Sequence, residues 1–591
     1  MRRHFLIILL SVLLLSSAVL FVGCNTAPDD NVDGQHICNY SELWSNNNEY
    51  HWKVCVYETC DITKDKQSHT FQNDICSICG YSKQSSTGNS QNNNNENEAN
   101  NQFSAGLDYV LNSDGQTLSV SGIGQCYDSE IIIPDFVDGK AVTTIASNAF
   151  VNLQGIKKVV LGSNVQEIQS SAFVNCGNLD NIVFSNSITT ISNQFVSNCP
   201  LQDLAVEKGI KYFENLNKDK IFAFSFVDKT IINIEFASTT KWINNDLFFN
   251  CDNIKSVTIP SNVVYIGTNA FYDCENIEEI TIEENSKLQY VGQYAFLGCE
   301  KLKTIQFPNG ISTIGKGCFK NCVSLEHINT FGQVNVILDN TFENCAKLKS
   351  IPSLENIQSI GACAFKNCTS LNSLPSLRNV QNIGGSAFSN IAVSGRLELS
   401  VGNTEFGEAV FANCSAIESV YISGNLLNGG AWMFSSCANL SYAYLDIQNV
   451  PDYMFTYSSI SDVDLTEKVV TIGCGAFQQT GLKSIDLPNT IREIKASAFK
   501  ACSLTEIYLP DGLEIIGESC FESCNAMLSI FIPKSVVTIG KYAFKNAGSY
   551  YLNPRFSIRC EASSCPTGWD SYWNHNGLNF YSVTWNQTRS I

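Results

Sequence analysis

The sequence predicts a repeat solenoid: a right-handed coil with a long parallel β-sheet on one face and turns or short helices on the other. Three observations predict it. A phenylalanine returns at Phe150, Phe173, Phe195, Phe248, Phe271, Phe296, Phe319 and onward to Phe544, mostly at steps of 22 or 23 residues. Each sits in one pattern, roughly L-x-x-I-x-L-P-x-x-(I/V)-x-x-I-G-x-x-A-F-x-x-C-x-x-L. The chain has 591 residues, and single cores stop growing at about 250–300, so several domains or an array is required. A unit with one short alternating strand, such as "IEEITI" or "LKTIQF", cannot bury its apolar face alone and must stack on copies of itself. Strands of successive turns then lie about 4.8 Å apart, so about eighteen turns make a curved rod roughly 85 Å long.

Residues 1–23 precede this array as a secretory signal. Arg2 and Arg3 are followed by an apolar run from Phe5 to Val22, which is a leader rather than part of the fold. Its end, "LFVGC", resembles the lipobox of bacterial lipoproteins, with Phe21 where leucine is usual. That resemblance implies a lipid anchor on Cys24, and the polar "NTAPDDN" behind it reads as a tether.

Residues 24–81 form a module rich in Cys, His and Trp. Cys55 and Cys60 pair in sequence with Cys76 and Cys79, the latter two in a C-x-x-C knuckle followed by Gly80. Four thiolates in two pairs suit a tetrahedral structural zinc, with His51 or His69 able to replace one ligand. The stretch also resembles small zinc-ribbon-like modules of exported bacterial proteins. Two disulfides are the competing arrangement, since export leads to an oxidising place and the first pair has four intervening residues. Residues 82–103, "SKQSSTGNSQNNNNENEANNQF", lack apolar residues to bury and read as a flexible linker with a reach of roughly 25 Å. A cap is expected over residues 104–148, the solenoid over 149–556 and a second cap over 557–591.

Within the array Cys176, Cys199, Cys251, Cys274, Cys299, Cys322, Cys345, Cys368, Cys414, Cys437, Cys502 and Cys524 share one place in the repeat. Stacking brings their α-carbons within disulfide range, but side chains in a ladder point in parallel rather than at one another. Ile391, Ser458 and Thr480 stand at the same place in other turns, which a ligand set or disulfide column tolerates poorly. These cysteines are therefore read as small buried packing residues. The preceding asparagines, Asn367 and Asn413 among them, are read as turn residues, so the sequons there belong to the repeat. Cys560 and Cys565, with four residues between them near the end, are candidates for a local disulfide.

The charge of −19 lacks the clustered Lys and Arg that bind a polyphosphate, so nucleic acid is excluded as a partner. Catalysis is not expected either. Only His327 and His575 fall in the repeat region, and residues on distant turns do not meet as a nucleophile and base must.

The residues from Gly106 to Asn586 resemble the BspA-type leucine-rich repeat proteins, a surface-protein family. "LDYVLNSDGQTLSVSGIGQCYDSEIIIPDF" is similar to the family's N-terminal cap and "SIRCEASSCPTGWDSYWN" to its C-terminal ending. The resemblance implies adhesion to extracellular proteins or other cells. In the strand pattern the residue before the last Leu points outward. That column gives Val160, Val183, Thr258, Thr281, Gln306, Pro352 and Pro375, then Tyr421, Tyr444, Asp464, Asp486, Tyr508 and Phe531, with Tyr442 on the strand of Tyr444. Tyr421, Tyr442, Tyr444, Tyr508 and Phe531 are the candidate binding residues, because exposed aromatics on a rigid sheet serve as interface anchors. Side-by-side β-formers stacking along the sheet are the plain alternative. Capture of glycans, or a structural role in the envelope, is the competing function.

Overall fold

The computed structural model describes residues 103–192, 194–427, 429–548, 556–576 and 578–589, with five short strands between Ser45 and Cys76. The chain divides into two units, residues 1–100 and 101–591. In the first, Tyr50–Val54 pairs antiparallel with Ser45–Asn46 and Thr63–Ser68, and Phe71–Gln72 pairs with Ile75–Cys76. The leader, Cys24, Cys55, Cys60, Cys79 and the linker up to residue 102 lie outside the described residues, and of Cys76 only the backbone is described.

The second unit is a parallel β-solenoid of about 20 turns. Its first turn is covered by a hairpin, Asp108–Leu111 against Leu118–Gly122, whose loop is tied by Asp114 to the backbone of Gln116 and Thr117. Lys140–Ile145 adds to this hairpin in parallel and hands the ladder on to Glu167–Ile168.

A regular turn contributes two strand segments, not one. Ser256–Ile259 pairs with Glu279–Ile282 in one ladder. After a corner closed by Val263 N–H to Pro260 O at 3.0 Å, Tyr265–Ile266 enters a second ladder between Trp242–Ile243 and Tyr290–Val291. The sheet is thus split into short ladders by the corner. The return segment is made of turns, and no helix occurs among the described residues. The reason lies on either side of each phenylalanine. Asn269 and Asp273 flank Phe271, Asn340 and Asn344 flank Phe342, and all four have φ between 52° and 64°. A left-handed residue every fourth position ends any right-handed helical run before it can propagate.

These turns stack the phenylalanines. From Phe248 to Phe544 successive rings lie face to face with centroids 5.0–5.9 Å apart. Each fully buried ring contributes about 1.5–3 kcal/mol by burial, so the column dominates the core. The column breaks at Phe195. There the irregular insertion forms an antiparallel hairpin, Ile210–Glu214 with Lys220–Phe226, and Phe184, Phe195, Phe213 and Phe222 meet largely edge to face. Two buried clusters meet at this point, one running from Leu107 to Trp242 and the other from Ile210 to Trp573.

The first ladder is interrupted at two further places, over residues 482–509, where Asp486 and Tyr508 hold the outward place, and over residues 348–377. Pro352 and Pro375 take the outward place in their turns and have no N–H to give, and no strand forms there. Beyond them Gly395–Phe406 and Ile417–Leu427, of 12 and 11 residues, run straight through the corner and join both ladders.

Candidate functional site

The cysteine column is structural, and its chemistry is visible atom by atom. Cys322, Cys345 and Cys368 donate their thiols to the carbonyls of Phe296, Phe319 and Phe342 at 3.1, 3.2 and 3.3 Å, each one turn back. Cys274, Cys414 and Cys437 do the same to Phe248, Phe388 and Phe411. Burial pushes the thiols of Cys299, Cys322 and Cys345 well above the ordinary cysteine value, which removes them as nucleophiles or thiolate ligands at neutral pH. In other turns Ser458 and Thr480 bond the carbonyls of Phe455 and Phe477 in their own turn, and Ile391 fills the space. Asn344 donates its side-chain amide to Asn321, and Asn367 to Asn344, at 2.7 and 2.8 Å, so the sequon asparagine Asn367 is spent in a ladder.

Cys560 and Cys565 are both free thiols rather than a disulfide. Cys560 points into the core from the Ser557–Cys560 strand, whereas Cys565 sits exposed on the following turn. Among the described residues no group of three or more His, Cys, Asp or Glu is placed to hold a metal.

On the strand face the register follows the expected column: Glu398 pairs with Tyr421, Tyr421 with Tyr444 and Tyr444 with Asp464. Tyr421, Tyr442 and Tyr444 come together, with ring centroids 5.5 Å apart for Tyr421 and Tyr442 and 5.9 Å for Tyr421 and Tyr444. The Arg396 guanidinium covers the other face of Tyr421 at 3.5 Å and pairs with Glu398 at 2.6 Å. The Tyr442 hydroxyl donates to Asp464, and that bond to a carboxylate raises its pKa.

Tyr508 and Phe531 form a separate group. Arg589, near the end of the chain, lies 4.0 Å from the Tyr508 ring and 4.9 Å from the Phe531 ring. It is held by the Leu509 carbonyl at 2.7 Å and by Asp511 at 3.0 Å. Arg559 is the register partner of Phe531. Between the two aromatic groups the face carries Asp462, Asp464, Asp486 and Glu506, all exposed. The five candidate aromatics therefore do not make one open platform. They make two groups, each closed by an arginine, with carboxylates between them. Sequence reasoning missed these arginines. Arg396 sits two residues before the outward Glu398 in "GRLELS" and could have been found by keeping the column in register. Arg589 reaches Leu509 over 80 residues, and no local signal announces it.

The BspA type leucine rich repeat region matches in 6 copies, over residues 124–216, 219–349, 335–450 and 448–558. The chain belongs to this family of repeat proteins. Among solved structures it is similar to a leucine-rich repeat protein from Bacteroides ovatus, at 23% identity and TM-score 0.44, covering 78% of this chain and 99% of that one. It is also similar to a leucine rich cell surface protein from Faecalibacterium prausnitzii, at 17% identity and TM-score 0.20, covering 83% and 95%. A third is the pneumococcal vaccine antigen PcpA, at 15% identity and TM-score 0.26, covering 69% and 98%. A search of curated proteins gives no match.

Proposed function

We propose that the chain is an extracytoplasmic, cell-surface binding protein, anchored by lipid at Cys24, whose strand face between Tyr421 and Phe531 holds a basic stretch of an extracellular protein or of another cell's surface. Family membership supports a binding role of the adhesion type, and two of the similar structures carry names of surface or antigen proteins. The N-terminal module, with zinc on Cys55, Cys60, Cys76 and Cys79, serves as a spacer.

One observation carries the choice of partner: an arginine already covers a ring face in each aromatic group. Tyr421 has Arg396 on one side and Tyr444 on the other, and Tyr508 and Phe531 have Arg589. Stacking of sugar rings needs a bare aromatic face, so this arrangement weighs against glycan capture. Beside them the carboxylates Asp462, Asp464, Asp486 and Glu506 stand exposed and complement Lys and Arg on a protein. The test is binding of the full chain to fibronectin and fibrinogen beside a glycan array. Changing Asp464, Asp486 and Glu506 together to Asn, Asn and Gln should weaken protein binding at least about tenfold and blunt its salt dependence. Binding to glycans alone, unaffected by those changes, overturns the reading.

A further inference from the structure

The interruption at Pro352 and Pro375 leaves an unfinished edge inside the array. The first ladder ends at the pairing of Thr304–Ile305 with His327–Ile328. Asn329 closes it there, its side chain both donating to and accepting from the backbone of Phe307 at 2.8 Å. The ladder resumes at Gly395–Phe406, whose first half pairs with Ile417–Leu427 on one side. On the other side this strand meets Asn382–Ile383 only through Glu405 and Phe406. Among the described residues, no strand lies along the outer edge of residues 396–400.

That edge faces a cavity of about 820 Å³ lined by Leu374, Pro375, Leu377, Arg378, Leu399 and Ser400. Three properties define its occupant. A row of strand N–H and C=O groups without a neighbour is satisfied most fully by another extended backbone. Leu374, Pro375 and Leu377 offer partly buried apolar surface to its side chains. The charge is the third: Glu398 is already paired with Arg396, and Asp446 with Lys468, at 2.6 Å each. Arg378 is exposed and makes no ion pair among the described residues.

We propose that this slot takes an extended segment of another polypeptide, added as a strand along residues 396–400 and bringing a carboxylate to Arg378. The site adjoins the Tyr421 group through Arg396 and Glu398 but uses none of Asp464, Asp486 and Glu506, and its length at about 3.3 Å per residue suits a strand of roughly five residues.

The test uses the full chain and a synthetic library of capped peptides of about eight residues. Binding peptides should be enriched in Asp or Glu and should slow amide hydrogen exchange in residues 395–401. N-methylation at alternate backbone nitrogens, which keeps every side chain, should raise Kd at least about tenfold. Arg378→Ala should weaken the acidic peptides selectively. The double variant Pro352→Thr/Pro375→Thr returns two main-chain donors, lets the protein's own turns fill the ladder and should lose binding. Equal affinity for N-methylated peptides, protection elsewhere in the chain, or no binding peptide at all overturns the proposal, and all three are read on the unaltered protein.

Discussion

Cys345 gives its thiol hydrogen to the carbonyl of Phe319, 3.2 Å away in the preceding turn. The bond ties the column of sulfur to the column of rings. It predicts unequal costs for two neighbouring changes. Cys345→Ser keeps a donor that Ser458 already shows can bond within its own turn, so it should cost about 1 kcal/mol or less. Phe342→Ala opens a hole in a fully buried stack and should cost about 3–5 kcal/mol. Urea denaturation of the two variants beside the parent measures the difference.

Thiol reactivity should follow the same geometry. Cys565 is exposed and Cys199 half-buried, and the neighbouring Cys176 side chain holds the Cys199 pKa below the usual range. Alkylation of the native protein should label these two first. Cys322, Cys345 and Cys368, buried and protonated, should react only on unfolding. Mass spectrometry of a labelling time course orders the sites.

Glu522 should make the C-terminal turns sensitive to acid. It is 8% exposed and bridges Lys500 at 2.8 Å and Lys545 at 3.1 Å. Burial pulls its pKa up, but the hydrogen bonds from Lys500, Lys545 and Ser519 outweigh burial and leave it below the ordinary glutamate value. A lowered folded pKa means the contribution is complete above the unfolded value of about 4.3 and fades as pH falls through the folded one. Glu522→Gln should cost about 2 kcal/mol at neutral pH and flatten the acid limb of the melting curve.

A stabilising change is available at Ala409. Its φ is 57°, the value that Asn340 takes at the same place in its turn. Glycine carries no left-handed penalty, which for an L-residue is about 1–2 kcal/mol, against a flexibility cost of about 0.5–1. Ala409→Gly should therefore raise stability by about 0.5–1 kcal/mol, read as a higher Tm.

Much of this was legible because the chain repeats itself. The phenylalanine step gave the stack, and Ile391, Ser458 and Thr480 showed that Cys is replaceable before any thiol bond was seen. The outward column was also legible, since a period of two leaves no choice of face for Tyr421 and Tyr444. Three things were not. The turn nature of the return segment depends on φ signs at residues as dissimilar as Asn340, Ala409 and Trp432, which share a conformation but not a chemistry. The closure of Tyr508 by Arg589 depends on a contact 80 residues long. The open edge at residues 396–400 follows turns in which Pro352 and Pro375 lack an N–H, and donors missing one and two turns back leave no pattern in the strand they expose.

The thiols and amides of the spine also give the array a direction. Cys345 donates back to Phe319 and Asn344 back to Asn321, so these side chains spend their hydrogens toward the amino end. A stack of such arrows has unlike termini: the first turn need only accept, and the last leaves carbonyls waiting. The ending brings donors of its own to carbonyls of the last turns, Tyr581 to Ala547 at 2.7 Å and the Trp569 indole to Val536 at 3.1 Å. The two ends of this molecule are not interchangeable lids, and a cap transplanted from one to the other would bring the wrong half of these side-chain bonds.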